Sequence, residues 1–321
     1  MRAYERFLNY IKIDTTSNDK NKNCPSSENQ WILANYIVNE LKKIGISNAH
    51  VDDNCYVYAK ISSKGDASKY NKKIGFIAHM DTSPSCAGGS VNAKIIRNYN
   101  GNDIVLENGI KIKTEEYAFL EKLISQDIIV TDGETLLGAD NKAGIAEIIT
   151  LCEILMSGQI NNHCEVLVAF TPDEEIGRGA DLFNVEKFGA DFAFTVDGGE
   201  LGEVEYENFN AATATIIING INIHPGSAKN IMKNSQNIAM EFDRLIPSCE
   251  RPENTEGYEG FYHLTSINGN EEKTEMAYII RDHDSEKFKI KKNYINEITM
   301  FLNKKHGDGT IFSNVVDSYY N

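Results

Sequence analysis

Thr131-Asp132-Gly133-Glu134-Thr135-Leu136-Leu137-Gly138-Ala139-Asp140-Asn141-Lys142-Ala143-Gly144 is the stretch on which the reading of this chain turns. An apolar run, Asp127 to Val130, leads into it. The helical pattern Ile145, Ile148, Ile149, Cys152, Leu155 leads out. Asp140 therefore stands where a buried strand or loop becomes a helix start, with glycines on both sides. A carboxylate there can lean on the helix N-terminus and keep both oxygens free for a cation. An ordinary helix N-cap uses the same residue in the same place. What separates the two readings is company, because three more acidic or imidazole clusters stand at neighbouring strand ends.

Upstream, Ser27 with Gln30 has the pattern of a capping box for a helix that carries Leu33, Ile37, Leu41 and Ile44 and stops at Gly45. Cys55 to Ile61 alternates like a strand. Lys73 to Met80 is a more buried strand that runs into His79-Met80-Asp81-Thr82-Ser83-Pro84. Downstream, the apolar strand Cys164 to Thr171 ends in Pro172-Asp173-Glu174-Glu175-Ile176-Gly177, and Phe192 to Val196 ends in Asp197-Gly198-Gly199. Strands alternating with helices imply an α/β protein with a parallel-rich sheet, where ligands gather at the carboxyl ends of strands. His79, Asp81, Glu174, Glu175 and Asp197 all stand at such ends.

From residue 206 the texture changes. The pattern predicts strand 209–219, helix 227–246, strands 261–268 and 274–282, helix 284–305 and a weak last strand 310–316. That β-α-β-β-α-β order suggests a separate ferredoxin-like α+β domain. A chain of 321 residues is long for one core, so the expectation is two domains, 1–205 and 206–321.

Hydrophobic residues make up 41% and charged residues 25%, as in soluble globular proteins. The net charge of −15 argues against nucleic acid or an anionic membrane as the main partner. It suits metal ions and small peptides with a free amine. The six cysteines show no C-x-x-C spacing, so no zinc knuckle or redox pair is indicated. Met1 to Ile13 lacks the apolar segment of a secretory signal, and no stretch reaches membrane-spanning length. The expectation is a cytoplasmic protein.

One imidazole among several carboxylates suits zinc, manganese or cobalt. Each cluster also has an ordinary reading: His-x-Asp as a surface pair, Asp-Glu-Glu as a solvated turn, Asp197 before two glycines as a turn residue. In this order, each after a strand, they read together as a metal site. The stretches His79–Pro84, Thr135–Glu147, Phe170–Gly177 and Thr195–Gly199, with His224-Pro225-Gly226 and Thr255–Leu264, resemble the cytosolic zinc aminopeptidases of the peptidase T family. The resemblance covers essentially the whole chain.

It implies a zinc-peptidase catalytic domain with a mixed, largely parallel sheet, joined to a ferredoxin-like lid or dimerisation domain. It also implies a metalloprotease of peptide catabolism that releases the N-terminal residue from tripeptides. Two zinc ions are implied: Asp140 bridging them, His79 and Asp197 completing the first, and Glu175 binding the second. Asp81 would orient His79, and Glu174 would be the general base. The peptide after Asp140 would be cis. His224 would support the oxyanion, often from the partner subunit of a homodimer, and Arg281 would hold the substrate carboxylate. On residues alone, His224 also reads as a loop histidine fixed by Pro225, and Arg281 as a salt bridge to Asp282 or Asp284.

Family members continue beyond Asp317-Ser318-Tyr319-Tyr320-Asn321, with more sheet, a glycine-rich segment carrying an arginine, and a histidine for the second zinc. The expectation is thus a truncated chain with an incomplete second site. The alternative function is an impaired homologue that serves only as a metal-binding or dimerising protein.

Overall fold

Alternation and apolar runs resolve into two compact units, Met1–Glu203 and Val204–Asn321. The structure is a computed structural model and describes residues 1–66, 69 and 71–321.

The first unit opens with α1 (Ala3–Tyr10) and α2 (Asn29–Lys43), then β1 (His50–Val51), β2 (Val57–Ile61) and β3 (Lys73–His79). Short strands β4 (Lys94–Ile96), β5 (Ile104–Val105), β6 (Lys111–Ile112) and β7 (Ile128–Val130) build two small ribbons. Then come α3 (Ala139–Ser157), β8 (Glu165–Thr171), α4 (Val185–Phe188) and β9 (Phe192–Thr195). The main sheet has the order β1-β2-β8-β3-β9. β8, β3 and β9 run parallel, while β1 and β2 are antiparallel additions, so the sheet is mixed.

β8 is covered on both faces. Val166, Val168 and Phe170 join the main core of the unit with residues of α1, α2 and α3, and Leu167 and Ala169 meet Tyr56, Tyr58 and Phe188. That double burial is why its sequence is continuously apolar rather than alternating. The predicted strand from Cys55 begins two residues late, because Cys55 has a φ of +70°.

Arg6 joins three helices. Its guanidinium is buried and donates to Glu40 Oε1 on α2 at 2.8 Å and to Glu153 Oε2 on α3 at 2.7 Å. It also reaches the Met1 carbonyl and Thr150 Oγ1, and the Tyr10 hydroxyl donates to Glu40. The capping box expected of Ser27 and Gln30 does not form. Glu28 is the N-cap of α2 and provides no side-chain bond; the Gln30 amide donates to Ser27 Oγ at 3.2 Å and, at 2.7 Å, to the buried Asp173 carboxylate. A charged acceptor out of water is the stronger partner.

The second unit contains β10 (Asn210–Asn219), α5 (Ser235–Leu245), β11 (Phe261–Gly269), β12 (Lys273–Asp282), α6 (Ser285–His306) and β13 (Ile311–Tyr319). Its antiparallel sheet has the order β11-β12-β10-β13, the ferredoxin-like arrangement. Period-2 alternation turns Ala212, Ala214, Ile216 and Ile218 to one face, where Phe242 of α5 and Ile295 of α6 complete the core. α5 starts eight residues later than its pattern predicts, because Asn234 accepts the amides of Gln236 and Asn237 and sets the N-terminus there. β13 is longer than its weak pattern predicts. Backbone pairing to β10 carries it, although most of its side chains are exposed or half-buried.

Replacing Arg6 by alanine would leave Glu40 and Glu153 without their shared cation. We expect a loss of roughly 3 kcal/mol in urea unfolding, the lower end for a broken buried pair because Glu153 remains partly exposed. A change under about 1 kcal/mol would show that the pairing contributes no more than an exposed ion pair.

Candidate metal centre

Strand register places the site. His79 ends β3 opposite Thr171 at the end of β8, and the Met80 amide donates to the Thr171 carbonyl at 2.8 Å. On the other side β9 pairs with β3, and the Val196 amide donates to the Ile77 carbonyl at 2.7 Å. His79, the turn 173–175 and Asp197 therefore emerge side by side at one edge of the parallel strands. α3 brings in Asp140. Regular helical geometry is interrupted at Asp140 and Asn141, and the peptide between them is cis, as the resemblance implies. Gly144 lets this helix approach the segment before Asp197, because a Cβ there would stand 2.2 Å from the Val196 carbonyl oxygen.

His79 Nε2 lies 2.8 Å from Asp140 Oδ1, 3.7 Å from Asp197 Oδ2 and 3.8 Å from Glu174 Oε2. Two overlapping groups result, His79 with Glu174 and Asp197, and His79 with Asp140 and Glu175. Within each, the donor atoms lie within 4.8 Å of one another. Behind the ring, Nδ1 donates to the Asp81 backbone carbonyl at 3.0 Å and stands 3.3 Å from Asp81 Oδ1. Asp81 is fully buried and does more than the sequence suggests. Its two carboxylate oxygens accept the amides of Glu174 and Glu175 at 2.9 and 3.1 Å.

This arrangement is short of positive charge. Burial pulls the His79 imidazole down, but the Asp81 hydrogen bond and the surrounding carboxylates outweigh it and push its pKa up to about 9. Burial and then neighbouring negative charge raise Glu174, Glu175 and Asp197, against the opposing pull of His79. Among the described residues, no lysine or arginine forms an ion pair with Asp140, Glu174, Glu175 or Asp197. With Nδ1 committed as a donor, a neutral His79 would aim its Nε2 lone pair at carboxylate oxygens. A proton or a cation must lie between them, and one imidazole with oxygen donors fits a divalent metal ion.

The peptidase dimerisation domain family matches residues 206–307, and the M42 glutamyl aminopeptidase family matches residues 121–243. Peptidase T of Caldanaerobacter subterraneus is 54% identical over all of this chain and 78% of its own length. The chain belongs to the peptidase T family. Among solved structures, the aminopeptidase PepT of Bacillus cereus and a tripeptidase of Staphylococcus aureus each share its fold with a TM-score of 0.71 at 19% identity. Both alignments cover 99% of this chain and 76% of theirs. A dinuclear metal binding peptidase of the M20 family from Bacillus subtilis shares the fold at a TM-score of 0.57 and 13% identity, over 99% of this chain and 74% of its own.

The remaining expected residues lie in the second unit. His224 caps a short 3-10 turn, and its Nδ1 accepts the Gly226 amide at 3.1 Å. Arg281 makes no salt bridge to Asp282 or Asp284. Asp284 caps α6, while the Arg281 guanidinium donates to the Ile280 and Ala212 carbonyls and lies 5.3 Å over the Tyr319 ring.

Two neighbours escape a reading of the sequence. Lys142 is buried, donates to the Ile13 carbonyl at 2.8 Å, and is pulled down to about 8 by burial against the opposing charges of Asp14 and Asp81. Asp173 reads in sequence as one more member of an acidic turn, yet it is fully buried. Among the described residues, no helix is long and apolar enough to cross a membrane.

For the metal-free protein the pH dependence has a definite sign. The folded pKa of His79 lies above its ordinary 6.5, so its protonation stabilises the fold fully below that value and the contribution is lost as pH rises through about 9. The raised carboxylates act in the same direction. The thermal midpoint of metal-free protein should therefore fall between pH 6.5 and 9, and added zinc should oppose the fall because it binds the deprotonated ligands. A metal-free midpoint that rises over this range would contradict the charge assignment.

Proposed function

We propose that this protein is a metal-dependent aminopeptidase that removes the N-terminal residue from tripeptides. The observation that carries this is the aim of His79 Nε2, fixed from behind by Asp81, into the carboxylates of Asp140, Asp197 and Glu174. Family membership supplies the substrate class: the relatives are peptidase T, and one fold neighbour is a tripeptidase.

His79, Asp140 and Asp197 would hold one zinc ion, and Asp140 with Glu175 a second. Zinc supplies Lewis acidity, bringing the pKa of water to about 7 and polarising the scissile carbonyl. Glu174 stays free of ligation in this assignment. Its carboxylate is about half exposed and held beside His79, and its raised pKa suits a base that takes the proton of the attacking water and passes it to the departing amine. Asp81 keeps the ring and the Glu174–Glu175 turn in register.

The acidic cluster also favours a substrate with a free ammonium group. His224, with Nδ1 occupied by the Gly226 amide, presents an Nε2–H suited to an oxyanion. Arg281, free of carboxylate partners among the described residues, suits the substrate's terminal carboxylate. The match of residues 206–307 to a dimerisation domain supports a homodimer built through the second unit.

The two ions would be held unequally. One has an imidazole and two carboxylates, whereas the other has only two carboxylates among the described residues, so zinc titration should show a tight and a weaker step. Glu174→Gln should keep both steps and lower kcat by roughly 10²–10⁴-fold. Glu175→Gln should weaken the second step. Equal loss of metal in both variants would mean the two roles are misassigned.

A further inference from the structure

We propose that Asp173 is a positioning residue for Glu174, acting through the N-terminus of α2. The inference rests on the reading of Glu174 as the general base.

Asp173 is fully buried and stands between the end of β8 and Glu174, at φ +57° and ψ 27°. Among the described residues its carboxylate has three hydrogen-bonding neighbours, each a donor. Oδ2 accepts the Ser26 amide at 2.8 Å, and Oδ1 accepts the Ser26 hydroxyl at 2.5 Å and the Gln30 amide at 2.7 Å. The backbone of Asp173 is held as well. Its amide donates to Gln30 Oε1 at 3.2 Å, and its carbonyl accepts the Arg178 amide at 2.9 Å. The Arg178 guanidinium then donates to the carbonyls of Asn21, Lys22 and Asn23, which tie down the segment leading to Ser26.

The left-handed backbone alone does not require this residue, because glycine or asparagine adopts it as readily. Glycine would leave the Ser26 amide and the Ser26 hydroxyl buried without an acceptor and the Gln30 amide with only Ser27 Oγ at 3.2 Å. Asparagine would turn an amide toward donors. What a carboxylate adds is a fixed side-chain direction and, with it, a fixed plane for the peptide that carries Glu174. Asp81 holds the same turn through the Glu174 and Glu175 amides, so two buried carboxylates fix it. The Glu174 side chain is itself half exposed, and its direction depends on that grip. A misplacement of about 1 Å is enough to cost about 10²-fold in rate.

The test uses the metal-loaded full chain and three variants, with kcat and KM on a tripeptide, zinc affinity and thermal midpoint measured for each. Asp173→Asn keeps size and backbone preference but places an amide against donors. It should lower kcat by about tenfold or more, leaving KM and the affinity of the tight zinc step within about twofold. The double variant Asp173→Asn with Gln30→Glu restores every hydrogen bond of the set except the one the Ser26 hydroxyl donates, since Ser26 Oγ already accepts the Asn18 amide. The asparagine amide donates to the introduced carboxylate, and its oxygen accepts the Ser26 amide. It should recover kcat to within about threefold of the parent. Ser26→Ala removes only the hydroxyl bond and should lower kcat about threefold; it carries the test if Asp173→Asn does not fold.

A purely structural role would lower the thermal midpoint and leave kcat per folded, metal-loaded enzyme unchanged, which overturns the proposal. A kcat loss that the double variant leaves in place, with fold and metal affinity restored, overturns it too. Glu174→Gln separates the two levels. If it retains turnover, the reading of Glu174 as base fails; if it loses turnover while the Asp173 and Ser26 variants do not, only the positioning claim fails.

Discussion

The Asp81 carboxylate accepts the Glu174 and Glu175 amides while it stands against His79 Nδ1, and the geometry of the centre depends on that double hold. Parallel pairing of β3 and β8 brings the two strand ends level, but it does not orient the turns beyond them. A buried acceptor with two oxygens does both tasks. It selects the His79 tautomer that leaves Nε2 facing the cluster, and it closes the acidic turn so that Glu174 and Glu175 both reach that nitrogen's surroundings. The Asp81 backbone carbonyl reinforces the first effect by accepting the same Nδ1 proton. Removing this carboxylate would leave the two part-buried amides of Glu174 and Glu175 without their acceptor and the ring with the Asp81 backbone carbonyl alone, a larger penalty than one lost hydrogen bond.

Around that anchor the protein gathers more negative charge than its own side chains offset. Asp140, Asp197, Glu174 and Glu175 share one imidazole, and Lys142, the nearest buried cation beside them in sequence, donates to the Ile13 carbonyl rather than to any of them. Such a cluster is stable at neutral pH only with bound protons or a bound cation. Burial raises three of the carboxylates, the same imbalance adds to that rise, and it also lifts the imidazole against its own burial. A site arranged in this way is poor as a structural ion-pair network and well suited to a divalent metal.

Much of this was legible in the chain. Apolar runs ending in His79, Thr171 and Val196 marked three strands, and acidic or imidazole residues just past each end marked the site, because parallel strands deliver their carboxyl ends to one edge. Asp140 was legible from the glycines around it and the helical pattern after it. What stayed hidden depends on partners distant in sequence. Gln30 reads as half of a capping box until the buried Asp173 competes for its amide, 143 positions away. β13 reads as weak because ladder bonds to β10, rather than buried side chains, hold it. Arg281 reads as a salt bridge until Asp284 is taken by the α6 amides. Local pattern finds elements and charges; it does not find which of two donors wins a buried acceptor.

We hold that the carboxylate-rich space in front of His79 Nε2, short of positive charge, is a metal site. Anomalous diffraction at the zinc edge, from crystals of zinc-loaded protein, tests it most directly. A peak is expected at about 2.0–2.2 Å from His79 Nε2 and from carboxylate oxygens of Asp140 and Asp197. A well-ordered, zinc-saturated crystal with no peak there, or with its strong peak away from His79, would contradict it.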